Sequence, residues 1–172
     1  SWLRVLYETP EIIGAYLDYC VRREIALISK YKRAGIDFVL GGGDIANNRG
    51  PFYSPIIFGK VILPRLKRIV NFCHELSLPY IYRTDGNIWA IANELLVESG
   101  VDGYGEIDAQ AGMRLGELKR KFPGLVLWGN IDCAKTLVLG SEEEVAEETI
   151  RAIRDAAPGG GYVLGSSNTI HP

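Results

Sequence analysis

Apolar residues recur along this chain in two alternating rhythms. From Glu11 to Lys32, Ile13, Leu17, Val21, Ile25 and Ile28 return every three or four positions, the spacing of one helix face. Gly35 closes that pattern, and Ile36-Asp37-Phe38-Val39-Leu40 follows as a short buried strand running into Gly41-Gly42-Gly43-Asp44. The alternation then repeats. A polar loop, Asn47 to Pro51, leads to a helical stretch over 54–76 that Pro64 should break or kink. Helical patterns over 88–99 and 113–122 follow, with Gly100 stopping the first of them. Ser141 and Glu144 form a capping box that opens a last helix running to Ala157. Between these stretches the apolar runs predict strands over 36–41, 79–83, 102–107, 125–129 and 161–165. Trp2–Glu8 reads as a further short helix.

Strands separated by helices, with nearly continuous apolar cores, point to an α/β fold with a parallel sheet. A doubly wound open sheet gathers its ligand at one reversal of strand order. A (β/α)8 TIM-type barrel instead brings the carboxyl ends of all its strands to one face. Each predicted strand here ends in polar residues: Asp44, Arg83 and Asp85, Asp108, Asn130 and Asp132, Ser167 and Asn168. That favours the barrel. A barrel takes eight strands and roughly 250 residues, so residues 1–172 are expected to form the C-terminal portion of one barrel domain, with about five strands present.

Composition narrows the function classes. With 19 basic and 21 acidic side chains the net charge is −2, and apolar residues make up 47 %. A chain without a cationic surplus is a poor general nucleic-acid binder, and one this apolar is not disordered. No apolar run reaches the ~20 residues of a membrane span. Cys20, Cys73 and Cys133 are odd in number and widely scattered, which reads as reduced core thiols in a cytoplasmic protein. They do not pair with histidines at metal-site spacing, so no metal is expected. His74 reads as a surface residue in mid-helix, and His171 stands beside Pro172 at the end.

The candidate chemistry sits at the strand ends. Asp44 follows three glycines and is either a turn cap or a carboxylate projecting from a strand tip. Arg83 could grip a carboxylate bidentately, and Asp85 could serve as acid or base. Asp85 and Asn87 could equally cap the following helix, and Asn130, Asp132 and Asp108 carry the same pair of readings.

Taken together and in order, five segments resemble motifs of the uroporphyrinogen decarboxylase superfamily. They are Gly50-Pro51-Phe52-Tyr53-Ser54-Pro55, Thr84-Asp85-Gly86-Asn87, Gly105-Glu106-Ile107-Asp108, Trp128-Gly129-Asn130-Ile131-Asp132, and the run from Gly161 to Asn168. The superfamily also holds corrinoid-dependent methyltransferases, which pass a methyl group to coenzyme M or from aromatic methyl ethers. The resemblance covers nearly all of the chain, most clearly from Gly35 onward, and implies a β/α barrel of which this is the C-terminal part.

The decarboxylase branch needs no cofactor and holds propionate and acetate carboxylates while a pyrrole ring is protonated. The leading expectation is therefore a carboxy-lyase acting on acidic tetrapyrrole side chains, in porphyrin biosynthesis. Asp85 and Asp44 would be its catalytic residues, and Arg83, Asn87, Asp108, Asn130, Asp132, Ser167 and Asn168 would contact the substrate. Asp44 stands where that branch has a serine, and Asn168 where it has a histidine. The methyltransferase branch binds zinc through a His-x-Cys pair and a later Cys. Those positions look like Arg83, Asp85 and Asn168, none a soft ligand, so zinc is not expected. Methyl transfer with a corrinoid protein as partner is the alternative reading, and a catalytically incomplete fragment the third. The expected ligand is a small polycarboxylate, with no nucleic acid or membrane partner and with a homodimer as an option.

Overall fold

The computed structural model describes residues 2–170, so His171 and Pro172 lie outside the described residues. Two helices open the chain, α1 (Trp2–Glu8) and α2 (Pro10–Arg33). Pro10 starts α2 where its missing N–H costs nothing, and Lys30, Lys32 and Arg33 end it at the negative pole of the helix. Ile13, Val21 and Ile28 are buried, as the periodicity predicts.

The first strand, β1 (Val39–Gly42), is followed by a two-stranded hairpin, β2 (Ala46–Asn47) and β3 (Gly50–Pro51), in the segment read as a polar loop. Next come α3 (Pro55–Ile57), a π-turn over Phe58–Ile62 and α4 (Leu63–Glu75). β4 (Tyr80–Arg83), β5 (Gly103–Ile107), α5 (Leu115–Lys121), β6 (Val126–Ile131), α6 (Thr136–Leu139), α7 (Glu142–Ala156) and β7 (Tyr162–Ser166) complete the order. The capping box of α7 is present: Ser141 Oγ accepts from the Glu144 N–H at 3.3 Å, and Glu144 Oε2 accepts from the Ser141 N–H at 2.8 Å.

The principal sheet runs β1-β4-β5-β6-β7, each neighbour parallel and in sequence order. No reversal divides it, which removes the doubly wound alternative. Its curvature is visible in contacts that skip strands. The ring of Phe38, just before β1, meets Trp128 of β6 edge-on at 6.5 Å, and Asn168, after β7, hydrogen-bonds Asp85, after β4. This is a parallel arc of the partial-barrel type.

The convex side buries Tyr80, Tyr82, Tyr104 and Leu127 in one core with Ile13, Ile28, Leu66, Val70 and Cys73 of the helices. The concave side carries Phe38, Leu40 and Trp128. A Cβ at position 165 would lie 2.6 Å from Trp128 Nε1, so glycine there lets the indole lie against β7. Among the described residues no helix is long and apolar enough to cross a membrane.

Three sequence expectations need correction. The strand predicted over 36–41 begins only at Val39, because its first ladder bond, from the Val39 N–H to Pro79 O at 2.8 Å, has no earlier counterpart. It is also not a buried strand: Leu40 and Phe38 are exposed on the concave face of an edge strand. The helix over 54–76 is interrupted at Pro64 as expected, since the regular α ladder gives way just before it and α4 restarts at Leu63. The π-turn, with the Leu63 N–H bonded to Phe58 O, widens the helix just where the proline ring would collide with the preceding turn. The segment 88–99 is not one α-helix but a 3₁₀ turn (Trp89–Ile91) and a π-turn (Glu94–Glu98). Of the cysteines only Cys73 is fully buried, and burial pushes its thiol up to about 11; all three are free.

Candidate active site at the strand ends

The carboxyl ends of the strands share one face, and local hydrogen bonds decide which of their side chains remain available there. The loop after β1 is tied to the tip of β4. Thr84 is fully buried, accepting the Ile45 N–H at 3.2 Å and donating to Asp85 O at 3.1 Å. Gly86 (φ +77°) follows, and a Cβ there would sit 2.8 Å from the Ala46 carbonyl carbon, so only glycine lets the hairpin pack this closely. The Asn87 N–H then donates to Asn47 O at 2.8 Å. These bonds fix Asp44, Arg83 and Asp85 on adjoining turns.

Two cavities meet at this face. The smaller, about 290 Å³, takes lining residues from all five strands or their tips, among them Leu40, Arg83, Glu106, Trp128, Ser166 and Asn168. The larger cleft, about 1060 Å³, lies beside it between β1, α2 and α4, and shares Arg83 while adding Asp44 and Tyr82. Two side-chain pairs cross the mouth. Asn168 Nδ2 donates to Asp85 Oδ2 at 2.8 Å, and Arg83 forms a short ion pair with Glu106. Glu106 holds the Arg83 guanidinium above its already high pKa, with Asp44 adding to the effect. The Tyr104 hydroxyl is fully buried with no hydrogen-bond partner among the described residues. Burial pushes its pKa up, and the charges of Asp85, Asp108 and Glu106 add to that.

The remaining candidates hold loops. Asn87 accepts the Trp89 N–H at 3.1 Å and donates to Ala111 O at 3.0 Å. Asp108 accepts the Gln110 N–H at 2.7 Å. Asn130, in the left-handed region at φ +86°, donates to both Ile107 O and Met113 O at 3.2 Å. Asp132 is buried; one oxygen accepts the Ala134 and Lys135 N–H groups at 2.8 and 3.0 Å, and the other accepts from Gln110 Nε2 at 3.1 Å. Ser167 Oγ, also buried, accepts the Cys133 N–H at 3.2 Å. The structure thus brings Asp44, Arg83, Asp85 and Asn168 together and engages the other candidates in hydrogen bonds with neighbouring loops.

Sequence reasoning passed over Glu106 and Trp128. The available signal was Glu106 itself, a carboxylate inside the segment predicted as a strand over 102–107. His74 lies away from this face, with Nε2 2.8 Å from Asp102 Oδ2 near the start of β5.

A family model described as "Uroporphyrinogen decarboxylase (URO-D)" matches residues 1–172. The chain belongs to the URO-D family. It is 21 % identical over 168 residues to the uroporphyrinogen decarboxylase of Desulfotalea psychrophila, covering 98 % of this chain and 46 % of that protein. It is 23 % identical over 170 residues to that of Geobacter metallireducens, covering 98 % and 47 %. The chain therefore spans about half the length of the curated relatives it matches. Among solved structures, a methyltransferase from Methanosarcina mazei superposes with a TM-score of 0.81 at 19 % identity, over 99 % of this chain and 47 % of that one. That likeness carries the fold. Within the URO-D frame, a zinc site built on Arg83, Asp85 and Asn168 does not fit. A guanidinium cannot ligate, and the Asn168 amide turns its N–H₂ toward Asp85.

Proposed function

We propose that the protein bearing this chain is a carboxy-lyase of the URO-D type, acting on acidic side chains of a tetrapyrrole at the strand-end mouth. The observation that carries this reading is the Asp85–Asn168 hydrogen bond. It holds a half-buried carboxylate, through its Oδ2, against an amide donor brought in from beyond β7. A carboxylate so placed can accept a pyrrole N–H and stabilise the positive charge that develops when the ring is protonated. Asp44, exposed beside Arg83, is the second acid–base candidate. Methyl transfer through zinc-activated thiol draws no support from the donor set at positions 83, 85 and 168.

The test is turnover of the intact protein that carries this chain, followed as carbon dioxide release from a uroporphyrinogen. Asp85→Asn should lower it by roughly 10²–10⁴-fold, the range of a lost acid–base group, with the melting temperature unchanged. Wild-type turnover in that variant removes Asp85 from the mechanism.

A further inference from the structure

The Arg83–Glu106 pair changes what this face can recognise. Glu106 has a non-glycine left-handed backbone (φ +62°) at the irregularity in β5 between Tyr104 and Ile107, where pairing to β6 slips register. That slip turns the side chain of Glu106 toward the cavity, where it meets Arg83. Strain of this kind persists where the surrounding structure enforces it, and it clusters at functional sites. Glu106 is the less exposed partner, its side chain 17 % exposed against 45 % for Arg83. Arg83, the cation lining this cavity, is therefore already paired with a carboxylate.

Among the described residues no other Lys or Arg lines the smaller cavity. In the larger cleft Arg65 is tied to Asp18 at 2.8 Å. Asp44 and Asp85 remain as further negative groups at the mouth, while Trp128 offers an indole in the same cavity as Glu106. Carboxylates beside an aromatic face attract cationic nitrogen and N–H edges and repel anions.

We propose that Glu106 is a specificity-determining residue that makes this part of the site a subsite for a cationic or N–H-bearing nitrogen of the substrate, not for its carboxylates. The proposal rests on the strand-end site described above, and it is independent of which bond is broken there. For a tetrapyrrole it assigns the ring nitrogens to this face and excludes the carboxylates from Arg83.

The test uses two probes on the intact protein, benzyltrimethylammonium and benzene-1,3,5-tricarboxylate, with binding read by calorimetry and by tryptophan fluorescence. The ammonium should bind saturably and the tricarboxylate should not. Trp128→Phe should remove the fluorescence response. Glu106→Gln should weaken ammonium binding by about tenfold, the effect of losing one close charge, and should open Arg83 to the tricarboxylate. If Glu106→Gln does not fold, Arg83→Gln serves: it should strengthen ammonium binding and leave the tricarboxylate unbound. Tricarboxylate binding to the wild type as tight as that of the ammonium overturns the proposal. So does ammonium binding that neither Glu106→Gln nor Arg83→Gln alters. If that happens while Asp85→Asn still abolishes turnover, the subsite assignment fails and the lyase reading stands.

Discussion

The tips of β4 and β6 look alike as sequence, each an apolar strand running into a short cluster of charged and amide residues, yet they do different work. At β6, Asn130 and Asp132 direct their polar atoms to backbone groups of adjoining loops and to the Gln110 amide. At β4, Arg83 and Asp85 reach side chains brought in by other strands, Glu106 and Asn168. Polar atoms spent on backbone amides build a loop. Polar atoms paired with other side chains at a cavity set the charge and the hydrogen-bonding groups that it presents to a ligand. The difference lies in partners, not in residue type.

This contrast can be broken by mutation, and the β6 tip gives the largest expected change in stability. Asp132→Ala removes a buried carboxylate that accepts from the Ala134 and Lys135 N–H groups of an exposed loop, and losing these charge-assisted hydrogen bonds should cost about 1.5–3 kcal/mol in chemical denaturation. A loss below the error of that measurement would mean the loop does not depend on Asp132. Asn130 separates two effects. Asn130→Ala loses both carbonyl contacts and sets alanine in a left-handed backbone, for about 2 kcal/mol, whereas Asn130→Gly relieves the backbone and should cost less. Equal losses would put the whole effect on the hydrogen bonds.

The smallest expected change lies away from both tips and serves as a control. Asp18 bonds Arg65 at 2.8 Å and Arg68 at 2.6 Å, and the Arg65 hydrogen bond is the first cause of its lowered pKa. A carboxylate depressed in the folded state contributes stability above its unfolded pKa, near 4, and that contribution is lost as pH falls through the folded value. Asp18→Asn should therefore cost at most about 1 kcal/mol at pH 7 for this partly exposed pair. The difference from wild type should shrink as pH falls through that folded value and vanish once the carboxyl is protonated in both states. A difference that persists in acid would show that the pair acts through packing and not through charge.

The fold was legible because parallel βα alternation shows directly in the chain: Val39, Ile81, Tyr104 and Leu127 fall in apolar runs bounded by glycine and polar residues. The order of the strands followed from the polar residues at every strand tip, which favoured a barrel over a doubly wound sheet. What was illegible depends on geometry finer than periodicity. The π-turn before Pro64 is a one-residue adjustment: the proline signals a disturbance in the helix but not the form it takes. The orientation of Glu106 depends on a register slip in β5, so its motif was visible while its direction was not, and Asp108 was chosen in its place. Asp132 and Asn130 could be read as loop caps or as site residues, and only the positions of the amides around them separate the two.

The most direct test of the comparison is turnover per folded molecule in Asp85→Asn set beside Asp132→Asn, measured in the intact protein on the same substrate. Asp85→Asn should show a drop of at least about a hundredfold, and Asp132→Asn should keep turnover within a few-fold of wild type. Equal losses, or a larger loss at Asp132, would contradict the assignment of the β4 tip to chemistry and the β6 tip to structure.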